Sequence, residues 1–279
     1  MKKQNQPLVS VVITTKNEEA NIDNCLKSIK QQSHSNIEII VVDNNSSDKT
    51  KEIAKKYTKL VFNKGPERSV QRNLGINQGK GKYAMYLDAD MILSKEVIKE
   101  CVETCENNKD IAGLYIPEKI VSRNFWTKVR RFERSFYDGT VIDCVRFVSK
   151  SAFNQVKGFD QTMTGPEDWD FDKKIRNIGK VTVIKSELYH NEGNFNMKKY
   201  LQKKSYYAQS FNTYIAKWGK EDADIKKQLG LTYRYFGVFL ENGKLLKLLS
   251  HPVLTLGMYY IRFRVGIGFL FGGRRWKIY

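Results

Sequence analysis

The sequence predicts an α/β fold in which a mixed, mostly parallel sheet is flanked by helices. Short β-branched apolar runs alternate with helical stretches along the first part of the chain, and the runs end on polar residues. With 279 residues, 41% of them apolar, the chain can bury a sizeable core, which excludes global disorder.

Residues 8–14 (LVSVVIT) read as a buried strand, and 17–30 as a helix with Ile22, Leu26 and Ile29 on one face. Residues 37–42 (IEIIVV) are a second strand ending at Asp43. The capping-rich loop NNSSDKT leads into a helix from Asp48 to Tyr57. A third strand covers 59–63. A helix over 69–78 follows, closed by Gly79 and Gly81. The fourth strand, 83–87 (YAMYL), ends at Asp88, and Ser94 caps a helix running to about Asn107. In such sheets ligands bind at the carboxyl edge, so Thr15, Asn17, Glu18, Asp43, Asp88 and Asp90 are expected to converge on one crevice. Beyond it, 113–116 and 141–149 read as strands, the second as an antiparallel edge. Residues 168–177 read as a helix and 180–184 as a strand. After Asn191 the text turns helical, with one helix over 198–218 and an exposed joint over 220–228.

Lys and Arg number 48 against 30 Asp and Glu, a net charge of +18. Residues 191–279 hold 16 basic and 5 acidic residues, so +11 of the +18 lies there. That asymmetry points to a polyanion: nucleic acid, an anionic membrane surface or phosphate-bearing ligands. The four Cys are too few and scattered for a disulfide scaffold, and Cys101 and Cys105 lack partners for a metal site. The opening segment lacks a signal peptide's apolar run, and no stretch has the uninterrupted apolar length of a membrane span. A cytoplasmic protein is expected.

Leu87-Asp88-Ala89-Asp90 places two carboxylates one residue apart just past a strand. Close carboxylates repel, and a hard cation such as Mg2+ or Mn2+ relieves the repulsion while accepting substrate phosphates as further ligands. The same pattern also suits a solvated turn. Asp43 serves either as a helix N-cap or as a hydrogen-bond acceptor for a nucleobase or ribose. Arg68 and Arg72, i and i+4, share a helix face that suits phosphates as well as solvent. Gly165-Pro166 delivers Glu167 and Asp168 onto a helix start, where carboxylates are stabilised either as caps or as a general base. His190 follows a strand, as a structural histidine or a metal contact.

Taken together, these residues resemble glycosyltransferase family 2, the inverting nucleotide-sugar transferases with a GT-A fold. Four segments appear in the family's order over about residues 8–193: VSVVITTKNEEANIDNCLKSI, IEIIVVDNNSSDKT, RSVQRNLGINQGKGKYAMYLDADM and GFDQTMTGPEDWDFDKKIRNIG. One departure is Thr15-Lys16 where a Pro commonly precedes the Asn-Glu. The resemblance implies a catalytic domain over 1–193, with a nucleotide-sugar half to about 112 and an acceptor half beyond. It implies that Thr15, Asn17, Glu18, Asp43, Arg68, Arg72, Asp88, Ala89 and Asp90 bind the donor, most often a UDP-sugar. Asp88, Asp90 and, more weakly, His190 would hold Mn2+ or Mg2+. Asp168, with Glu167 beside it, would be the catalytic base.

Residues 194–279 form a basic, aromatic, helical extension. Residues 252–271 are strongly apolar but carry Arg262 and Arg264, which suits an interfacial helix with snorkelling arginines better than a span. Arg274, Arg275, Trp276 and Lys277 add the chemistry of a bilayer surface. A packed helical pair or a dimer interface is the alternative. The expectation is a peripheral protein on the cytoplasmic face of a membrane, acting on a glycan or lipid-linked acceptor. Competing readings are a basic nucleic-acid-binding protein, which no recognition motif supports, and a sugar nucleotidyltransferase, whose glycine-rich phosphate loop is missing. No nucleic acid is expected as a partner.

Overall fold

The computed structural model describes residues 6–271. Its strands are β1 (Val9–Thr15), β2 (Ile37–Asp43), β3 (Val61–Asn63), β4 (Tyr83–Asp88), β5 (Met91–Leu93), β6 (Ile111–Tyr115), β7 (Glu118–Ile120), β8 (Phe147–Ser149), β9 (Lys180–Val183) and β10 (Leu188–His190). Its α-helices are α1 (Ile22–Lys30), α2 (Thr50–Lys55), α3 (Arg68–Gln78), α4 (Val97–Asn107), α5 (Phe125–Arg134), α6 (Lys150–Gln155), α7 (Glu167–Arg176), α8 (Met197–Ala208), α9 (Phe211–Trp218), α10 (Ala223–Leu229), α11 (Val238–Leu240), α12 (Leu245–Leu249) and α13 (Pro252–Phe271).

Seven strands form the main sheet in the order β3-β2-β1-β4-β8-β6-β9, and β5-β10-β7 form a small second sheet. The first four strands of the main sheet are parallel. β1 is buried along its whole length because both faces are covered, which is why it reads as a continuous apolar run. The period of two splits it: Val9, Val11 and Ile13 pack in one core with Leu26, Ile98 and Cys101, while Val12 packs in a second with Ile76, Phe171 and Ile175. Gly75 lets α3 lie close on β1, since an added Cβ would sit 2.3 Å from Val12 Cγ1. All four cysteines are free and buried, and Cys101 and Cys105 belong to the core.

Several expectations need correction. The first helix begins at Ile22, not Asn17, because Asn17 takes a left-handed φ of 54° and binds the loop after β2. The strand expected over 141–149 is formed only by Phe147–Ser149, and it is no edge: antiparallel β8 lies between β4 and β6. The helix expected over 198–218 breaks into α8 and α9 at Gln209-Ser210, where Ser210 Oγ accepts a hydrogen bond from Thr164 N at 3.0 Å. The joint expected over 220–228 is a capped helix. Asp222 caps α10, Ile225 and Gln228 are buried, and Lys173 of α7 pairs with Asp222. Charge made this segment look solvated, whereas its acids answer cations on α7.

The C-terminal helices pack on α5. Val129, Phe132 and Phe136 form a third core with Val238, Phe239, Leu248, Met258 and Ile261. Among the described residues no helix is long and apolar enough to cross a membrane. The basic residues Arg274, Arg275 and Lys277, with Trp276, lie outside the described residues.

Candidate active site

The carboxyl ends of β1 and β4 open into a cleft of about 950 Å³, walled on its far side by residues of α5, α7 and α8. Register decides what meets there. Thr14 lies beside Asp88 in the β1–β4 ladder, and Thr14 Oγ1 donates to Asp88 Oδ1 at 2.9 Å. In the small sheet His190 is paired with Met91, which sets its ring against Asp90. Leu188 of the same strand is paired with Glu118 on β7.

Arg72 is the hub. It is 1% exposed and stacks 4.7 Å from the Tyr86 ring centroid. Its guanidinium reaches Asp168 Oδ1 at 2.6 Å, Asp88 Oδ1 at 3.3 Å and Glu167 Oε1 at 3.8 Å. Burial pushes the Asp88 carboxyl up, but Arg72 and then Arg68 outweigh it and hold Asp88 well below the usual carboxylate range. Arg68, at the cleft rim, contacts Glu167 at 3.2 Å and lies over the Tyr207 ring.

The two acids at the start of α7 differ in their surroundings. Glu167 is 2% exposed, accepts from Gly165 N and Arg68, and is raised by burial and by Asp168. Asp168 lines the cleft with one oxygen anchored on Arg72. Gly165 is needed between them and α8. Its φ is +101°, and an added Cβ would sit 2.7 Å from Tyr207 Cα.

Asp90 Oδ2 meets His190 Nε2 at 3.1 Å, and His190 Nδ1 meets Glu118 Oε1 at 2.8 Å. Burial lowers the His190 pKa, but Glu118 and Asp90 overcome it and raise it well above the ordinary value. Glu118 in turn accepts from Arg146 at 3.1 Å and Arg134 at 3.4 Å. Asp90 Oδ1 is buried with no hydrogen-bond partner. Among the described residues no three His, Cys, Asp or Glu side chains are grouped to hold a metal by themselves. An orphaned carboxylate oxygen beside an imidazole still fits a hard cation that draws its other ligands from a substrate.

Thr15, Glu18, Arg68, Asp88, Ala89, Asp90, Asp168 and His190 all line the cleft, and Asn17, Asp43, Arg72 and Glu167 do not. Burial raises the Glu18 carboxyl, opposed by its hydrogen bond from Asn21. Asp43 is fully buried and accepts from Ser46 N at 2.7 Å and Ser46 Oγ at 2.5 Å, shaping the loop after β2. Asn17 holds the same loop through Ser47 N at 2.9 Å. Sequence reasoning missed Glu118, Arg130 and Arg146. No local pattern marks them, and only strand pairing and the docking of α5 bring them to the cleft.

A cleft lined with acids and arginines at the carboxyl edge of a mixed sheet is the architecture of GT-A glycosyltransferases. The chain belongs to glycosyl transferase family 2, whose profile it matches over residues 10–162. It is similar to an uncharacterized glycosyltransferase of Methanocaldococcus jannaschii, 28% identical over 66% of this chain and 70% of that one. It is also similar to the uncharacterized glycosyltransferase EpsJ of Bacillus subtilis, 30% identical over 46% of this chain but only 42% of that relative's length. In fold it resembles a mannosyltransferase from Pyrobaculum calidifontis in complex with GDP-Man and Mn2+, with a TM-score of 0.65, 16% identity, and coverage of 97% of this chain and 89% of that one. It likewise resembles S. aureus TarS in complex with UDP-GlcNAc, with a TM-score of 0.55, 19% identity, and coverage of 92% and 81%.

Proposed function

We propose that this glycosyltransferase moves a sugar from a nucleotide-diphospho-sugar, UDP-linked by family default, to a hydroxyl of a cell-envelope glycan or lipid-linked acceptor, with inversion. The observation that supports this reading is the meeting of Asp88, Asp90, Asp168 and His190 in one cleft, with Asp88 and Asp168 tied through Arg72 and Asp90 to His190. The structural neighbours were captured with GDP-Man and UDP-GlcNAc, so the donor class is shared while the base differs.

In this reading residues 1–193 are the catalytic unit and 194–279 the acceptor-side layer. Thr15 and Glu18 lie against the nucleotide, and Asn17 and Asp43 hold the base-side loop in shape. Arg68 reaches the diphosphate from the rim. Asp88 and Asp90 would hold Mn2+ or Mg2+, with the neutral imidazole of His190 as a further ligand. Bound there, the cation supplies Lewis-acid relief of charge on the leaving diphosphate. Asp168 takes the proton from the acceptor hydroxyl as that oxygen attacks the anomeric carbon from the face opposite the diphosphate. The C–O bond to the diphosphate breaks as the new glycosidic bond forms, so no enzyme nucleophile is needed. Arg72, at 2.6 Å from its Oδ1, keeps Asp168 aimed.

Calorimetric titration with UDP and GDP, with and without Mn2+, tests the donor reading. Binding of one nucleotide that needs Mn2+ is expected. Asp90→Ala is expected to erase the Mn2+ dependence; an unchanged dependence would remove Asp90 from the metal site.

The same reading puts the protein on the cytoplasmic face of a membrane. Leu246, Leu249, Val253, Leu256 and Phe263 of α12 and α13 are each more than 60% exposed, beside Lys247 and Arg264. Such an apolar patch with adjacent cations suits an anionic lipid surface. Leu249→Glu with Leu256→Glu is expected to release the protein from phosphatidylglycerol vesicles in sedimentation without lowering its melting temperature. Full co-sedimentation of that variant would refute the role of this face.

A further inference from the structure

The far wall of the cleft carries more positive charge than its own carboxylates balance. Arg130 of α5 and Tyr200, Lys203 and Lys204 of α8 line it. We propose that Arg130, Lys203 and Lys204 form a second anion subsite, which holds a phosphate group carried by the acceptor. The proposal rests on the transferase reading above and names the class of acceptor.

Arg130 is 7% exposed, and its guanidinium lies 4.7 Å from the Tyr200 ring centroid. It pairs with Glu133 and, at 3.4 Å, with Glu192, yet its Nε has no partner. Glu133 is already divided: it also receives Arg262 at 2.9 Å and the Tyr137 hydroxyl at 2.8 Å. Lys204 is half-buried with its ammonium 5.2 Å from the Tyr200 centroid. Among the described residues neither Lys203 nor Lys204 has a carboxylate at ion-pair distance. Burial, with Arg234 and Arg130 nearby, pushes Lys204 down to about 7. Arg130, Lys204, Arg234 and Arg262 thus crowd around Tyr200, and among the described residues the carboxylates paired with Arg130 and Arg262 are Glu133 and Glu192. Desolvated cations without counter-charges are costly, and a phosphate would relieve that cost with charge-assisted hydrogen bonds.

The subsite is separate from the diphosphate region. Its cations stand on α5 and α8, whereas Asp88 ends β4, Asp90 follows it and Arg68 opens α3. Lys203 lies between the two regions, within the influence of Glu192, Arg68 and Asp90. Aromatic rings lead outward from it. Tyr200 stands 5.6 Å from Phe195, Phe195 6.1 Å from Trp126, and Trp126 5.6 Å from Tyr260 on α13. Tyr260 and the neighbouring Phe125 are exposed. A prenyl chain fits that track with its phosphate at Lys204. A phosphodiester within a glycan offers the same anion without the chain.

The test measures binding of farnesyl phosphate, glycerol 3-phosphate and farnesol to the full chain with UDP or GDP and Mn2+ saturating the donor site. Farnesyl phosphate is expected to bind, and Lys204→Gln to weaken it by about tenfold or more, in line with loss of a charge-assisted bond. Lys203→Gln, at an exposed position, is expected to weaken it less, and Lys204→Arg to restore it. Nucleotide affinity is expected to hold within about twofold in all three variants. Equal binding and equal loss for glycerol 3-phosphate supports the subsite and assigns the phosphate to a polymer; binding of farnesyl phosphate alone assigns it to a lipid. Absence of phosphate binding, an unchanged affinity in Lys204→Gln and Lys203→Gln, or a loss of nucleotide instead of phosphate overturns the proposal. Failure of every nucleotide to bind is a different result: it removes the donor reading, while the phosphate probes still decide the subsite.

Discussion

Asp168→Asn is expected to lower turnover by about 10²- to 10⁴-fold, the usual worth of a positioned general base. That equals about 3–5 kcal/mol of barrier. The amide keeps the shape of the side chain and an oxygen for Arg72, so donor affinity is expected to hold within about twofold. Single-turnover kinetics with saturating donor separates the two. Glu167→Gln is the control. Glu167 is buried, does not line the cleft and is tied to Gly165 N and Arg68, so its loss is expected to act through position, and more mildly. Near-normal turnover in Asp168→Asn would take the base role away from Asp168.

Arg72→Met is expected to destabilise the fold by about 3–5 kcal/mol, as when one partner of a buried ion network is removed. The methionine chain keeps much of the packing on Tyr86 and Phe159, but Asp88, Asp168 and Glu167 lose the cation between them. The urea midpoint reads the effect. Turnover is expected to fall as well, because Asp168 loses its 2.6 Å anchor. A midpoint within the error of the unsubstituted protein would show that the carboxylates do not depend on Arg72.

The resemblance set Arg72 among the donor-binding residues. Its burial ties it to Asp88 and also to Asp168, and leaves Arg68 as the arginine at the cleft rim. Two arginines at i, i+4 share a helix face in the sequence, but depth along that face is a tertiary property. Asp43 followed the same pattern. Its place at the end of β2 was legible, yet which of its two roles its oxygens serve was not. Both are committed to Ser46.

The parallel half of the sheet was legible because its cause is local. Buried parallel strands need continuous β-branched runs, and each run here ends on polar residues at the carboxyl edge, where such sheets bind ligands. The Asp88-Ala89-Asp90 turn and the acids after Gly165-Pro166 were legible for the same reason: short spacing fixes them. The antiparallel insertion of β8 was not, since three residues carry no periodicity of their own. Nor was the chain from Asp90 through His190 to Glu118, whose ends lie 28 positions apart in sequence and meet only because β10 pairs with both β5 and β7. The basic excess of the C-terminal region was plain from composition, but composition has no geometry. Packing of α5, α8 and α13 decided which cations became buried around Tyr200, and which apolar side chains of α12 and α13 stayed exposed.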